Sequence, residues 1–330
     1  MSDPTSGWID PNPRDTTDPR VNRVLTFAGI GLTLLVIATL VIVVLIQRVG
    51  GPDSDSPRSV TLTAANGPVP EPFTPSVVVA PTQISETAAA QIAATTQQLP
   101  VAADRGVRLA SGTLPGLYGV TGPTNSCDAA AVANHLSADT DKSDAWAGAI
   151  GIEPEQIPYY LNTLTPVVLT TDMWLTSHAY TDGSATPFQT VLQAGSAVLI
   201  DAVGVPRTHC ASGDPLLPPA KENLTRLSRV EGSPWPGYDP QNVVAVAYSA
   251  AGPNPPQQAP ASAVTEFSLV DLSTAQSVVR EAGGTINLGE PVTSRVGPLP
   301  DPIDMNRPPA GLSPVIEHPA LTQDLPIPIP

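Results

Sequence analysis

Residues 208–219 read THCASGDPLLPP and set His209 directly before Cys210, one of two cysteines in the 330-residue chain. A cysteine nucleophile needs an imidazole within hydrogen-bond reach and a lowered pKa. Neighbours on a strand point to opposite faces, so adjacency works against His209 serving Cys210. His135 and His178 lie farther off in the sequence and meet Cys210 only if the fold brings them there. An extracytoplasmic thiol tends to oxidise, so a Cys127–Cys210 disulfide is the expected state, with a free thiol or a nucleophile as the alternatives. Such a bridge would close a loop of some 80 residues, for which chain-entropy models give roughly 4 kcal/mol. Cys127, His135, His178, His209 and Cys210 are numerous enough for zinc, but the Cys-x-x-Cys and His-x-x-x-His spacings are missing. No metal and no cofactor are expected.

Other catalytic patterns are weaker still. DTDKSD, from Asp139 to Asp144, has the acids of a calcium loop but carries Asp144 at the turn-glycine position and Ile150 at the bidentate-glutamate position. It reads better as a helix start with acids near the positive end. There is no Gly-x-Ser-x-Gly elbow and no glycine-rich phosphate loop in a strand–loop–helix frame. Asp182, Asp201, Asp214 and Asp239 all lie near turns, where a glycosidase pair could sit but where aspartate is usually a turn residue. Four aromatic residues near loops, Trp174, Tyr180, Trp235 and Tyr238, form a candidate ligand surface, since aromatics on rigid loops serve recognition. The competing reading makes them caps on the small core of an aromatic-poor domain.

The elements that would position these residues follow from composition and periodicity. Proline numbers 40 of 330 and net charge is −15. Dense proline removes backbone donors, and the negative charge speaks against nucleic acid, which needs a basic footprint. Residues 24–46 are apolar and uncharged, and at about 1.5 Å per residue they give about 34 Å of helix, enough to cross a bilayer. The run is too long for a signal peptide and no cleavage site follows it. Basic residues flank it almost evenly, with Arg14, Arg20 and Arg23 before it and Arg48 and Arg58 after it. Cysteines only beyond the span, and a proline-rich spacer after it, favour a cytoplasmic N-terminus and an extracytoplasmic C-terminal part.

The chain then divides into a cytoplasmic disordered tail (1–23), a transmembrane helix (24–46), a Pro/Ala/Thr-rich linker (47–115), a folded domain (116–284) and a Pro-rich disordered tail (285–330). Eleven of the fourteen aromatics fall in the folded window. Within the linker, Ser85 can cap a short helix to Leu99. Inside the domain, Asp128 and Asp141 are expected to cap helices, with Gly151 just past the second. Pro154 opens a third helix whose Ile157, Tyr160, Leu161 and Leu164 make one apolar stripe. Residues 167–180 read as strand and TPFQTVLQAG (186–195) as a short helix. A hairpin turns near Val203-Gly204, and 242–248 and 266–272 are further strands. Helices first and mostly antiparallel strands after make an α+β domain.

Several strings resemble a known family: GLYGVTGPTNSCD, AWAGAIGIEPEQIPYYLNTLTPVVLTTD, SHAYTDGSATPFQTVLQAGSAVLIDAVGVPRTHCASGDPLLPP, WPGYDP and FSLVDL. They occur in order over about Gly116 to Ala275. The family is an uncharacterised domain of membrane-anchored extracytoplasmic proteins in actinobacteria, and the resemblance implies such a domain here without implying a reaction. The family pattern carries a second cysteine near Cys210 where this chain has Ser212. That departure leaves Cys127 and Cys210 as each other's only intrachain partners. The expected role is binding or structural at the cell envelope, with the bilayer as one partner through 24–46 and a cell-wall component or envelope protein as the other. An extracytoplasmic hydrolase and a sensor with a short cytoplasmic tail are the alternatives, and catalysis is the less favoured reading.

Overall fold

A computed structural model describes residues 59–67, 69–79, 82–220, 223–227, 229–247, 263–288 and 297–305. The expected span at 24–46 lies outside them, as do the tail at 1–23 and residues 306–330. Among the described residues no helix is long and apolar enough to cross a membrane.

The elements run β1 (Ser59–Thr63), α1 (Glu86–Gln98), β2 (Val101–Ala102), β3 (Val107–Ser111), β4 (Tyr118–Val120), α2 (Ala129–Ser137), α3 (Thr140–Ile150) and α4 (Ile157–Asn162). Then come β5 (Thr165–Leu169), β6 (Met173–Thr181), β7 (Ser184–Leu192), β8 (Ala197–Ile200), β9 (Pro206–His209) and β10 (Asp214–Leu217). The chain continues with β11 (Arg229–Glu231), β12 (Val244–Ala247), β13 (Glu266–Asp271), β14 (Ser277–Glu281) and α5 (Pro302–Met305). The α+β class holds: a mostly sheet domain carries a few helices. The expected order of helices before strands does not, because four strands precede α2 and α2–α4 are inserted between β4 and β5.

The described strands join in one sheet that branches at β6. All of β6 pairs antiparallel with β7 on one side. On the other, Met173 meets Val244 of β12, while Thr176 and Ser177 meet Leu217 and Leu216 of β10. One wing therefore runs β11-β1-β7-β6 with β12-β3-β2 attached, and the second runs β10-β9-β8-β5-β4-β13-β14. The pairing is antiparallel through the middle but parallel where β1 meets β7 and β11, where β12 meets β3 and β6, and where β13 meets β4. One face of both wings supplies the largest core, with Leu169, Met173, Leu175, Ile200, Val244 and Leu269 among its members. Alternate residues enter other clusters: Leu199 packs with α2–α4, Trp174 and Ala245 with β1 and β3, and Val168 with α1. Strands buried on both faces need apolar residues at every position, which is why AVLI and VVAVA show no alternation.

The helices follow their local signals. Ser85 accepts from Ala88 N and caps α1, and Asp128 accepts from Ala131 N and caps α2. The cap of α3 is Asp139, which accepts from Lys142 N, rather than Asp141, which lies in the first turn; Gly151 ends the helix in the left-handed region as expected. The stripe Ile157, Tyr160, Leu161 and Leu164 is buried.

The 186–195 segment corrects the expectation of a helix: it belongs to β7. Asp182 (φ 51) and Gly183 (φ 75) form a two-residue turn of positive φ, the geometry that matches strand twist. Nine residue pairs then zip β6 to β7. The hairpin signal Asp-Gly in TDGS outweighs the Thr-Pro start and Gly stop that suggested a helix.

Residues 59–115 correct the expected linker. β1 and β3 are internal strands of the first wing, with Val60, Leu62, Val107 and Leu109 buried. The proline-rich stretch 69–79, expected to be extended, instead bends through 70–75 with Glu71 in the left-handed region (φ 48), and it is docked. Thr74 N donates to Ser212 O, Val77 N to Cys210 O and Val79 N to Ser126 O, and Phe73 and Val77 enter the helical-side core. Prolines between these points remove the donors a regular ladder would need, so the segment is held at intervals. The expected Pro-rich tail is also partly ordered: Gln156 Nε2 donates to Gly297 O and Pro298 O, and Ile286, Leu299 and Met305 pack on the same core.

Candidate functional site

The stretch around Cys210 is sealed. Cys127 and Cys210 are disulfide-bonded with Cα atoms 5.8 Å apart, and neither thiol is free. His209, Ser212 and Asp214 are fully buried. His209 Nδ1 lies 3.2 Å from Ser212 Oγ, and Ser212 in turn hydrogen-bonds Asp214. Ser177 Oγ donates to Asp214 Oδ2 at 3.4 Å and Phe73 N to Oδ1 at 3.5 Å. Burial pushes the Asp214 carboxyl up to about 7, against the opposing effects of Ser212, Phe73 N, Ser177 and Lys142. Burial alone pushes the His209 imidazole down to about 4. The residue types are those of a hydrolytic triad, but here the serine stands between the histidine and the carboxyl. A triad needs the histidine in the middle and the hydroxyl open to substrate. This cluster pins the β9–β10 turn beneath the docked 69–79 segment.

The other expected reactive groups take separate structural places. His178 Nδ1 bonds Pro215 O, and His135 is exposed on α2. Asp201 accepts from Val203 N and Val205 N and pairs with buried Arg207 at 2.9 Å, which holds the β8–β9 hairpin closed. Gly204 (φ +77) completes that turn against Gly112, whose backbone a Cβ would overlap. Asp182 is the hairpin tip and Asp239 caps a short 3₁₀ turn at Pro240–Asn242. Among the described residues no group of His, Cys, Asp or Glu could hold a metal ion.

An open cleft of about 260 Å³ lies elsewhere, where the chain passes twice between the wings. Residues 170–172 carry it from β5 to β6, and 193–196 from β7 to β8. The crossings are tied together by Gly195 N to Leu169 O (2.8 Å), Leu169 N to Ser196 O (2.9 Å) and Ala194 N to Asp172 Oδ1 (2.8 Å). Helix α1 forms the opposite wall with Ala89, Ile92, Ala93 and Thr96, and Asn242 closes one end. Arg108 sets the spacing. Its Nη1 donates to Gln97 O and Leu99 O at the end of α1, and its Nε donates to Asn242 Oδ1. Pockets often form where a sheet changes course and its loops diverge.

Asp172 is half-buried on the cleft floor, and Trp235 Nε1 donates to its Oδ2 at 3.0 Å. Burial raises the Asp172 carboxyl above its ordinary pKa, opposed by the bonds from Ala194 and Trp235. Beside it Trp235 and Tyr238 stand edge to face, ring centres 5.1 Å apart, each half-exposed. The expected aromatic surface is thus divided. Trp174 is fully buried with the Arg105 guanidinium over its ring at 4.9 Å, so it is core and not surface. Tyr180 packs on Phe73 with Lys142 above it, on the α3 side. Of the four, Trp235 alone bonds a cleft residue, Asp172, with Tyr238 packed on it, and neither ring is part of the cleft lining.

A family model described as Domain of unknown function (DUF6777) matches residues 108–283, just over half of the chain. The chain belongs to that family. No curated protein and no solved structure gives a match. The DUF6777 match contains Thr170–Asp172, Ala194, Trp235, Tyr238 and Asn242, but it begins after α1. One wall of the cleft therefore comes from sequence outside the DUF6777 match.

Sequence reading missed Asp172, Thr171 and α1 as parts of a site. Asp172 follows two threonines within an apparently continuous strand, and TTD is in hindsight a break signal between two apolar runs. The alanines of α1 had no distinguishing pattern, because a weak apolar face looks the same whether it lines a cleft or faces solvent.

Proposed function

We propose that this protein is a single-pass membrane protein that displays its α+β domain on the extracytoplasmic side and binds a small envelope ligand in the α1 cleft. The observation that carries the reading is the cleft itself: a concave, mainly apolar space with one carboxylate on its floor. Binding sites have that composition, with a few placed polar groups on an apolar wall. Two features support the setting. Residues 24–46 have the length and apolarity of a span, and a disulfide persists in oxidising compartments. The four aspartates raised for the hydrolase alternative, Asp182, Asp201, Asp214 and Asp239, lie on different elements and none lines the cleft, which offers a single carboxylate rather than a pair.

Ala93 is exposed on the α1 wall, so phenylalanine there fills the cleft without entering the core. A small-fragment library screened by ligand-observed NMR against the full-length chain is expected to give hits that Ala93→Phe removes, with the melting temperature unchanged. Hits that survive Ala93→Phe would place binding elsewhere. The anchoring is checked separately: the full-length chain is expected in the carbonate-resistant membrane fraction, and recovery in the soluble fraction would sink it.

A further inference from the structure

The formal charge of the cleft is of one sign, since Asp172 is its one ionisable lining residue, while Gln97 at the end of α1 adds a neutral amide. No lysine, arginine or histidine is among its lining residues. The Asp172 carboxylate spends one lone pair of Oδ1 on Ala194 N and one of Oδ2 on Trp235 Nε1, and each oxygen keeps a second. Next to it the Thr171 side chain lines the cleft at 8 % exposure, and its hydroxyl has no hydrogen-bond partner among the described residues. Such a buried hydroxyl is costly if nothing meets it. The hydroxyls of Thr170 and Thr96 are taken up by Leu117 O and Ile92 O. The Asn242 side chain is held by Arg108 and Asp239. On the side of the two crossings, free acceptor capacity is therefore at Asp172 and Thr171, across from Ile84, Ala89, Ile92, Ala93 and the exposed Gln97 on the α1 side.

We propose that the cleft takes an organic ammonium group on a small apolar body, with the ammonium between Asp172 and Thr171 and the body against α1. This rests on the cleft being the binding site. Charge complementarity carries the choice: an ammonium supplies three donors and a positive charge where the walls supply acceptors and a negative one. An anionic ligand would face Asp172 with no compensating cation in the lining. At about 260 Å³ the space limits the body to a small one.

The test is a charge series of one shape against the full-length chain: phenethylammonium, 2-phenylethanol and 3-phenylpropionate, titrated by NMR at pH 7. The ammonium is expected to bind at least about tenfold more tightly than the alcohol, and the carboxylate not at all; a tenfold ratio is about 1.4 kcal/mol. Asp172→Asn should bring the ammonium down to the level of the alcohol, and Thr171→Val should weaken both. Ammonium affinity should rise with pH as Asp172 ionises, while that of the alcohol stays level. Equal binding of ammonium and alcohol to the wild type overturns this proposal and leaves the cleft as a binding site. Failure of all three to bind, together with no fragment hit sensitive to Ala93→Phe, overturns both. The wild-type series alone decides the outcome if either variant fails to fold.

Discussion

Asparagine at position 214 and asparagine at position 209 are expected to tilt the pH dependence of stability in opposite directions. Asp214 is fully buried, with a carboxyl pushed up to about 7 from an ordinary 3.8. Between those values the unfolded chain has lost the proton and the folded chain has kept it. The stability from Asp214 is therefore present below pH 3.8 and lost as pH rises to 7. His209 is pushed down to about 4 from an ordinary 6.5. The unfolded chain takes up its proton first, so the stability from His209 is present above pH 6.5 and lost as pH falls to 4. Each slope is about 1.4 kcal/mol per pH unit, and between pH 4 and 6.5 the two nearly cancel. Asp214→Asn removes one slope and exposes the other. Relative to wild type, its unfolding free energy should fall by about 4 kcal/mol more on going from pH 7 to pH 4. His209→Asn should do the reverse, losing about 3 kcal/mol relative to wild type from pH 4 to pH 6.5. Comparing each variant with wild type cancels the other carboxylates. Urea unfolding followed by the fluorescence of buried Trp146, at half-unit pH steps, reads this directly. Three parallel profiles would show that neither group is held in the protonation state its burial implies.

Loss of the Cys127–Cys210 bridge is the second large effect. The bridge spans 83 residues of sequence, and closing such a loop removes roughly 4 kcal/mol of chain entropy from the unfolded state. Both cysteines are buried, so alanine at each position adds a small packing loss rather than an exposed polar group. The bridge also borders the docked segment: Val77 N bonds Cys210 O, and Asp128 N bonds Val77 O. The doubly substituted chain should therefore loosen around 69–79 first. Differential scanning calorimetry is expected to show the melting temperature lowered by roughly 10 °C, from about 2–4 °C per kcal/mol for a domain of this size. Hydrogen exchange should show the amides of Val77 and Asp128 losing protection before those of β5 and β8. An unchanged melting temperature would mean that the folded state holds the two cysteines in place without the bond.

Much of the local structure was legible because it depends on local chemistry. Ser85, Asp128 and Gly151 act where their side chains or φ preferences place them, and the Ile157–Leu164 stripe is buried because its spacing leaves one face apolar. The hairpin near Gly204 follows from two short apolar runs around a glycine turn. The β7 error came from weighing Thr186, Pro187 and Gly195 as helix signals when Asp182-Gly183 had already set the hairpin. The linker error came from composition. Dense proline removes the donors of regular elements, yet a proline-rich stretch still buries its apolar residues once a partner groove exists, as Phe73 and Val77 show.

The candidate site was legible only in part. Trp235 and Tyr238 could be singled out as aromatics in a rigid loop, and they do stand beside a cleft. Trp174 could not be separated from them, because its strand alternates between two buried faces and both look apolar in sequence. By itself the sequence determined the class of the domain, its disulfide arithmetic, most helix ends and the family. Those rest on propensity, spacing and residue identity, all of which act within a few residues or by simple count. Only the tertiary structure decided that residues 59–115 belong to the fold, that His209 and Asp214 are sealed, and that Asp172 and Thr171 face α1 across an open space. Each of these is a meeting of segments tens of residues apart, set by sheet register and by the two crossings between wings, and no local pattern encodes which distant carbonyl or alanine a side chain will meet.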